Sequence, residues 1–351
     1  MAVVRPAVAR ALVYHGPGDL RLEDVPLPAP ARGEIVVRIT ACGLCPGEVM
    51  DWYLARKAPL PLGHEPVGEV VEAGDGAGFA PGERVFVHHH APCMTCRRCR
   101  RGDFVHCVTW RPRRLIPGGL ATYALVQAAA VSTDTLRVPA VLSDDAATFI
   151  EPLACVVKSV RRARVRAGDR VLVVGLGVMG LLHLLVLRAT TQPLRLLAAD
   201  RLPDRLARAA GVADTLLDVS QRPLAPSVAD ATDGEGADIV IVGPGTVDAL
   251  EAGRTAVAPG GTVVVFTPTP PDVRWSLPVH DLFFNETTIV PSYSAGPDDT
   301  GEALRLLVAG LAVEPLITHR LPLSRAAEGY DLIRATGSAL KVVVRPERES
   351  G

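Results

Sequence analysis

Four cysteines, Cys93, Cys96, Cys99 and Cys107, fall within fifteen residues at spacings of three, three and eight. Four thiolates at that density suit the closed tetrahedral shell that Zn²⁺ adopts when its task is structural, with no position left for a substrate. Three shorter islands carry further ligand types: Cys42-Gly-Leu-Cys45-Pro-Gly-Glu48, Gly63-His64-Glu65 and Glu151-Pro-Leu-Ala154. A zinc held by a thiolate, an imidazole and a carboxylate keeps one position open. Such an ion is a Lewis acid that binds a hydroxyl and lowers its pKa, or polarises a carbonyl. Alone, each island is ordinary. A single histidine is usually structural, and Cys42 with Cys45 could form a redox pair, although no thioredoxin-like βαβ pattern surrounds them.

A second chemistry lies further along. Val171-Leu-Val-Val174 reads as a buried strand, followed by Gly175-Leu-Gly177-Val178-Met179-Gly180 and an apolar helix. Asp200 stands twenty residues beyond Gly180, at the end of the next apolar run. Strand, glycine turn, helix and distant acid together form a dinucleotide fingerprint. Gly175 permits the tight turn, Gly177 lets backbone approach a pyrophosphate, and Gly180 allows close helix–strand packing. The helix N-terminus offers unpaired N–H groups to the phosphates. Asp200 is placed to accept from ribose hydroxyls, which favours NAD over NADP. Arg201 directly after it could soften the repulsion of a 2′-phosphate, and Arg205 is a further candidate cofactor contact.

The elements that must position these groups change character near residue 145. Before it, β-rich runs at 11–14, 34–40, 67–73 and 84–88 alternate with turns, and only 47–56 has helical period. After it come a helix-compatible segment at 145–164, strands at 170–174, 194–199, 215–217, 239–242 and 262–266, and helices between them, the alternation of a parallel sheet. Helices at 300–309 and 326–336 and a last β run at 340–344 close the chain. His88-His89-His90 is expected to be an outward-facing strand end, and Cys155 a core residue.

Composition excludes other classes. In 351 residues, 48% apolar and 21% charged, 37 basic groups nearly balance 38 acidic ones. Neither a nucleic-acid-coating surface nor a disordered tail has that balance. The arginines at 97, 98, 100 and 101 read as a solvated loop rather than the face of a nucleic-acid-binding zinc ribbon. The first residues show no secretory pattern, and the uncharged stretch 171–187 is short for a membrane span and rich in glycine. Clustered cysteines in a reduced chain point to metal rather than disulfides, so the expected compartment is the cytoplasm.

Together the islands, the cysteine lobe, the fingerprint, Gly118-Gly119-Leu-Ala-Thr-Tyr123 and the closing Leu340-Lys341-Val-Val-Val run resemble the zinc-containing medium-chain dehydrogenase/reductase family, which includes alcohol, sorbitol and threonine dehydrogenases. The resemblance implies an α/β fold in which a Rossmann doubly wound parallel sheet (154–296) is inserted into a GroES-like, β-rich catalytic domain. That domain is made from 1–153 and 297–351 and carries the structural-zinc lobe at about 88–114. It implies two zinc ions per chain. Cys45 and His64 match catalytic-zinc ligands, and Glu65 or Glu151 supplies the third. Glu151 stands where polyol and threonine dehydrogenases carry glutamate. Glu48 occupies the acidic position that orients the imidazole. Cys42 matches no ligand and is expected to be buried, and Lys341 matches a basic residue near the cofactor phosphates. Relatives are homodimers or homotetramers, usually through the sheet edge near 288–292.

One departure stands out: where the family carries a Ser or Thr that relays the alcohol proton, this chain has Gly47, so either water, Glu48, Glu65 or a histidine of the His88-His89-His90 run takes the proton, or the reaction is not ordinary alcohol oxidation. The expected activity is hydride transfer between NAD and a secondary alcohol of a polyol, sugar, cyclitol or amino alcohol. The alternative that Gly47 keeps open is a biosynthetic reductase of a carbonyl, imine or conjugated alkene. A regulatory nucleotide-binding protein lacking the catalytic zinc is the rival from another class.

Overall fold

The structure is a computed structural model that describes residues 5–112, 114–190, 194–335, 337 and 339–347. Met1–Val4 and Thr336, the expected end of the last helix, lie outside these residues. The chain divides into two units, Met1–Ala154 with Ala295–Gly351, and Cys155–Ser294.

The first unit is built on an eight-stranded sheet. Its central path runs Ile317–Pro322, Lys341–Arg345, Ile35–Gly43, Glu65–Ala73, Arg84–Val87 and Thr135–Arg137, with Leu115–Ile116 and Tyr123–Val126 branching from it. Alternating side chains of one strand serve two cores. Ile35, Val37 and Ile39 enter the larger core with Tyr14, Leu62, Tyr330 and Val342, while Val36 joins Ala9, Leu27, Val71 and Leu125 on the other face. This two-sided burial explains why 35–39 reads as a nearly continuous apolar run. A three-stranded sheet, Asp19–Pro26, Val8–Gly16 and Leu60–Pro61, completes the unit. The Asp19–Pro26 strand escapes the sequence pattern because its alternate positions carry charge and stay partly exposed.

Two expected helices are broken. The segment 47–56 forms three short pieces, Pro46–Val49, Asp51–Leu54 and Ala55–Lys57, because Met50 leaves helical backbone at φ −86°, ψ 88°. The segment 145–164 divides into Asp144–Ala147 and Ile150–Ala163. Pro152 falls in the first turn of the longer helix, where its missing N–H costs nothing.

The second unit is a six-stranded, all-parallel sheet ordered Thr215–Asp218, Arg195–Asp200, Arg170–Val174, Ala237–Val242, Val257–Val265 and Thr288–Pro291. In sequence order this is 3-2-1-4-5-6, the doubly wound dinucleotide-binding arrangement. Both faces are covered, so Val171, Leu172, Val173 and Leu197 are fully buried. No helix among the described residues is long and apolar enough to cross a membrane.

Candidate active site

The first candidate site is made where two neighbouring strands of the first unit begin and end. Antiparallel register sets Gly43 opposite Glu65, so Cys45, just past one strand, meets His64, just before the other. Cys45 caps the short Pro46–Val49 turn, its Sγ accepting the Gly47 N–H at 3.3 Å. Gly63 turns the chain into His64 at φ +90°, and an added Cβ there would overlap the Leu120 backbone. Cys45 Sγ, a His64 ring nitrogen and a Glu65 carboxylate oxygen all lie within 4.8 Å of one another. A soft thiolate, an imidazole and a hard carboxylate at that separation fit a single zinc ion.

Glu48 is buried, and its Oε1 accepts both the Gly63 N–H and the His64 Nδ1–H at 2.9 Å. The His64 Nε2 lone pair is thereby left for a metal. Burial alone would lower the imidazole's pKa, but the Glu48 carboxylate and Cys45 outweigh it and hold His64 well above its ordinary value. Desolvation raises the Cys45 thiol. Glu65 is also raised by burial, against the pull of the Lys341 ammonium that pairs with it.

Lys341, expected beside the cofactor phosphates, is 1% exposed and its ammonium sits on Glu65. Gly43 makes room for this pair, since any Cβ there would overlap Glu65 Oε2. Strand pairing between 341–345 and 35–43 is what brings the lysine in. Glu151 is buried as well. It lies outside the tight triad, yet close enough that its charge raises both Cys45 and Glu65. Cys42 is fully buried, with desolvation driving its pKa far up. Cys155 is partly exposed, not enclosed in the core.

Tyr330 was not foreseen. Its hydroxyl donates to Glu48 Oε2 at 2.5 Å from the fully buried face of the closing helix. Nothing local marks it, because it is separated from Glu48 by most of the chain. Tyr330→Phe leaves one oxygen of a buried carboxylate without its donor and frees the group that aims His64. Outer-shell partners of this kind are worth roughly 10–100-fold in metal affinity or activity. We expect Y330F to bind zinc about tenfold more weakly in chelator competition. Unchanged affinity would remove Tyr330 from this role.

The histidine run does not face outward. Its strand ends at Val87, and the chain turns inward toward the cysteine lobe. His88 is fully buried, with Nδ1 2.7 Å from Asp134 Oδ2, and Asp134 Oδ1 accepts from Thr300 at 2.5 Å. The His89 ring centre lies 4.9 Å from that of His64, and His90 packs 5.1 Å from Trp110. At Gly47, an added Cβ would stand in ordinary contact, 3.4 Å from Cys45 Sγ, so crowding does not explain the missing hydroxyl.

The cysteine lobe passes a geometric test. Four thiolates about 2.3 Å from zinc form a tetrahedron with edges of about 3.8 Å. The Cys96–Cys99, Cys93–Cys99 and Cys96–Cys107 sulfurs are 3.5, 3.9 and 3.9 Å apart. Backbone N–H groups of Cys96 and Cys93 donate to the Cys93 and Cys107 sulfurs at 3.3 Å. Hydrogen bonds led by the Thr95 hydroxyl pull the Cys93 thiol down to about 5, whereas burial pushes Cys99 up to about 12.

In the second unit, Gly175 leaves its strand at φ +87°, and a Cβ on Gly180 would overlap the Gly175 carbonyl. Gly177 faces open space, where a pyrophosphate can approach. Val178 opens the helix Val178–Thr190 and Met179 sits in its first turn. Asp200 ends its strand, Oδ2 accepting the Leu176 N–H at 2.6 Å and Oδ1 the Leu202 N–H at 2.9 Å. Two of its roughly four acceptor sites are therefore used by backbone. Arg205 comes within 3.9 Å of Asp200, and Arg201 is exposed. A second unforeseen group, His183, bridges the Met179 carbonyl and Ser159 hydroxyl, and burial depresses its pKa to about 4. It stays neutral and pins the helix that carries the glycine turn.

Residues 31–140 match the alcohol dehydrogenase GroES-like domain, and residues 168–309 match the zinc-binding dehydrogenase domain. The chain is 31% identical to erythritol/L-threitol dehydrogenase of Mycolicibacterium smegmatis over 364 residues, covering 97% of this chain and 98% of that one. It is 32% identical to L-threonine 3-dehydrogenase of Pyrococcus furiosus over 335 residues, covering 92% and 94%. Among solved structures, a candidate zinc-binding dehydrogenase from Sinorhizobium meliloti 1021, bound to NADP, superposes with a TM-score of 0.85 at 26% identity over 97% of this chain and 100% of that one.

Proposed function

Since the chain belongs to the zinc-containing medium-chain dehydrogenase family, we propose that it oxidises a secondary hydroxyl of a polyol, sugar, cyclitol or amino alcohol by hydride transfer to NAD. The broader activity, a zinc-dependent oxidoreductase acting on CH–OH donors with a nicotinamide cofactor, follows from the family. The observation that carries the finer reading is the Cys45, His64 and Glu65 triad, with Glu48 aiming the imidazole, in one chain with a complete dinucleotide fingerprint.

Cys45 Sγ, His64 Nε2 and one of Glu65 or Glu151 would hold the catalytic ion, and the four lobe cysteines a structural one, two zinc ions per chain. When bound, zinc supplies Lewis-acid polarisation of the substrate oxygen. The protein's own residues do the rest. Glu48 fixes the imidazole's tautomer, and the Lys341 ammonium pairs with Glu65, opposing the burial that raises that carboxyl. A carboxylate third ligand transfers less charge to the metal than a second thiolate, and glutamate at the position of Glu151 is what the resemblance associates with polyol and threonine dehydrogenases. Gly47 offers no hydroxyl, so the alcohol proton leaves by a route other than that position.

Gly175, Gly177, Val178, Met179 and Gly180 would cradle the cofactor pyrophosphate, with Asp200 on the ribose and Arg201 and Arg205 at its rim. The two unused acceptor sites of Asp200 support NAD over NADP, because a 2′-phosphate would meet a carboxylate. The test is a panel of erythritol, threitol, sorbitol and threonine with NAD and with NADP, followed at the absorbance of the reduced cofactor. We expect turnover with at least one substrate and a kcat/KM at least tenfold higher with NAD, about 1.4 kcal/mol in transition-state binding. Equal use of both cofactors would overturn the preference, and inactivity with every hydroxylated substrate would overturn the substrate class.

The sheet edge Thr288–Pro291 and the helix Val279–Phe284 support a homodimer or homotetramer. That strand ends the sheet, and Val279, Phe283 and Phe284 are each at least 70% exposed. An open edge beside apolar side chains is a surface that proteins cover. The particle mass in solution should be two or four times 37.1 kDa, and a stable monomer would refute it. The unbridged thiols of all seven cysteines support a reducing, cytoplasmic setting.

A further inference from the structure

The geometry points to a second anion site in the parallel-sheet unit, for a small molecule bearing a diphosphate group. A cavity of about 550 Å³ opens where the helix Ile150–Ala163 runs into the Arg170–Val174 strand, and Arg161, Arg162, Arg164 and Arg166 line it together with Asp169 and Asp238. That volume falls within the range of small-molecule pockets rather than of a protein docking face. The four cations exceed the two acids. Both acids are already committed to backbone, Asp169 accepting the Arg166 N–H and Asp238 the Arg170 N–H, each at 2.7 Å.

Helix electrostatics accounts for only half of this wall. Arg161 and Arg162 fall in the last helical turn, where cations offset the negative end of the macrodipole. Arg164 lies past that helix in left-handed backbone, φ +57°, and Arg166 is farther still, so neither gains from it. Among the described residues no hydrogen bond or ion pair engages the guanidinium of Arg164 or Arg166. Exposed guanidinium forks gathered in a concavity match the planar, bidentate geometry of phosphate oxygens. Several forks on one multiply charged anion form a charge network, the case in which surface ion pairs contribute where an isolated pair does not.

The site is distinct from the cofactor's. Asp169, Asp238 and Thr288 stand at the strand starts, whereas Asp200 ends its strand and Gly175 and Gly243 follow theirs. Along Arg170–Val174 alone the separation is about 13 Å at about 3.3 Å per residue. The inference does not rest on the hydride-transfer reading, although Thr288 and Val290 of the cavity wall belong to the edge strand proposed for self-association.

The experiment is calorimetric titration of inorganic pyrophosphate into the full chain saturated with NADH, so that the glycine turn is filled, at ionic strength fixed with sodium chloride. A saturable one-to-one isotherm is expected. It should weaken at least tenfold in Arg164→Glu/Arg166→Glu while NADH affinity stays unchanged. The milder Arg164→Lys/Arg166→Lys pair keeps charge but loses the forks, and should weaken binding by a smaller factor, which preserves the test if charge reversal impairs folding. Non-saturating heats, an isotherm unaltered in the folded variant, or equal binding of sulfate as an adventitious ion only would overturn the proposal.

Discussion

Cys45→Ser should abolish alcohol oxidation and cost the protein one of the two zinc ions proposed for it, with the fold intact. Removing an outer-shell partner of a metal ligand costs roughly 10–100-fold, so loss of the ligand itself should exceed about 100-fold in kcat/KM. Serine is the informative replacement because it is nearly the same size and its oxygen can still accept the Gly47 N–H that Cys45 Sγ accepts at 3.3 Å. What it cannot do at neutral pH is become an anion. The thiol can, once a metal offsets the desolvation that raises it. Metal content near one per chain, cofactor binding as in the parent, and turnover at background constitute the expected result. Parent-like turnover with two ions bound would remove Cys45 from the site.

The second large effect concerns stability. The lobe between the sheet and Trp110 has a small core of its own, Cys99, Val105, Cys107 and Trp110 with Phe104 against them. Four or five side chains cannot offset the ordering cost of a loop this long at about 1–2 kcal/mol per residue. A structural zinc can, since its binding free energy is folding free energy. In Cys107→Ser the sulfur that accepts the Cys93 N–H is also lost. Trypsin reads the outcome directly, because Arg97, Arg98, Arg100 and Arg101 are exposed in this loop. Cleavage there should accelerate more than tenfold, about 1.4 kcal/mol of local opening. The thermal midpoint should fall by about 5 °C or more, corresponding to a few kcal/mol. A parent-like cleavage rate and midpoint would show that the lobe folds without its ion.

Parts of this molecule are readable residue by residue because the responsible physics is local. The turn at Gly175, Gly177 and Gly180 needs small residues within one strand–helix junction, so spacing alone exposes it. The four lobe cysteines are close in sequence because they clasp a short loop. Alternation of apolar runs with helices announces the parallel sheet for the same reason, since each crossover is a nearest-neighbour event in the chain.

Tertiary structure decided what depends on strands that pair across long sequence distances. Cys45 and His64 are neighbours only through the register of Gly43 with Glu65, and Lys341 reaches Glu65 only because the closing strand pairs with 35–43. That pairing gives the lysine a buried carboxylate partner, which its position in the chain does not announce. Tyr330 is the plainest case: as sequence it is one apolar residue of an amphipathic helix, and packing alone turns its hydroxyl onto Glu48. His88 reads as a strand end facing water and is buried on Asp134, because where a strand stops is set by its partner strand and by the lobe beyond it. Composition and spacing thus determined which chemistry the chain can host. Long-range hydrogen-bond register, which no short window encodes, determined which side chains share a proton, an ion or a charge.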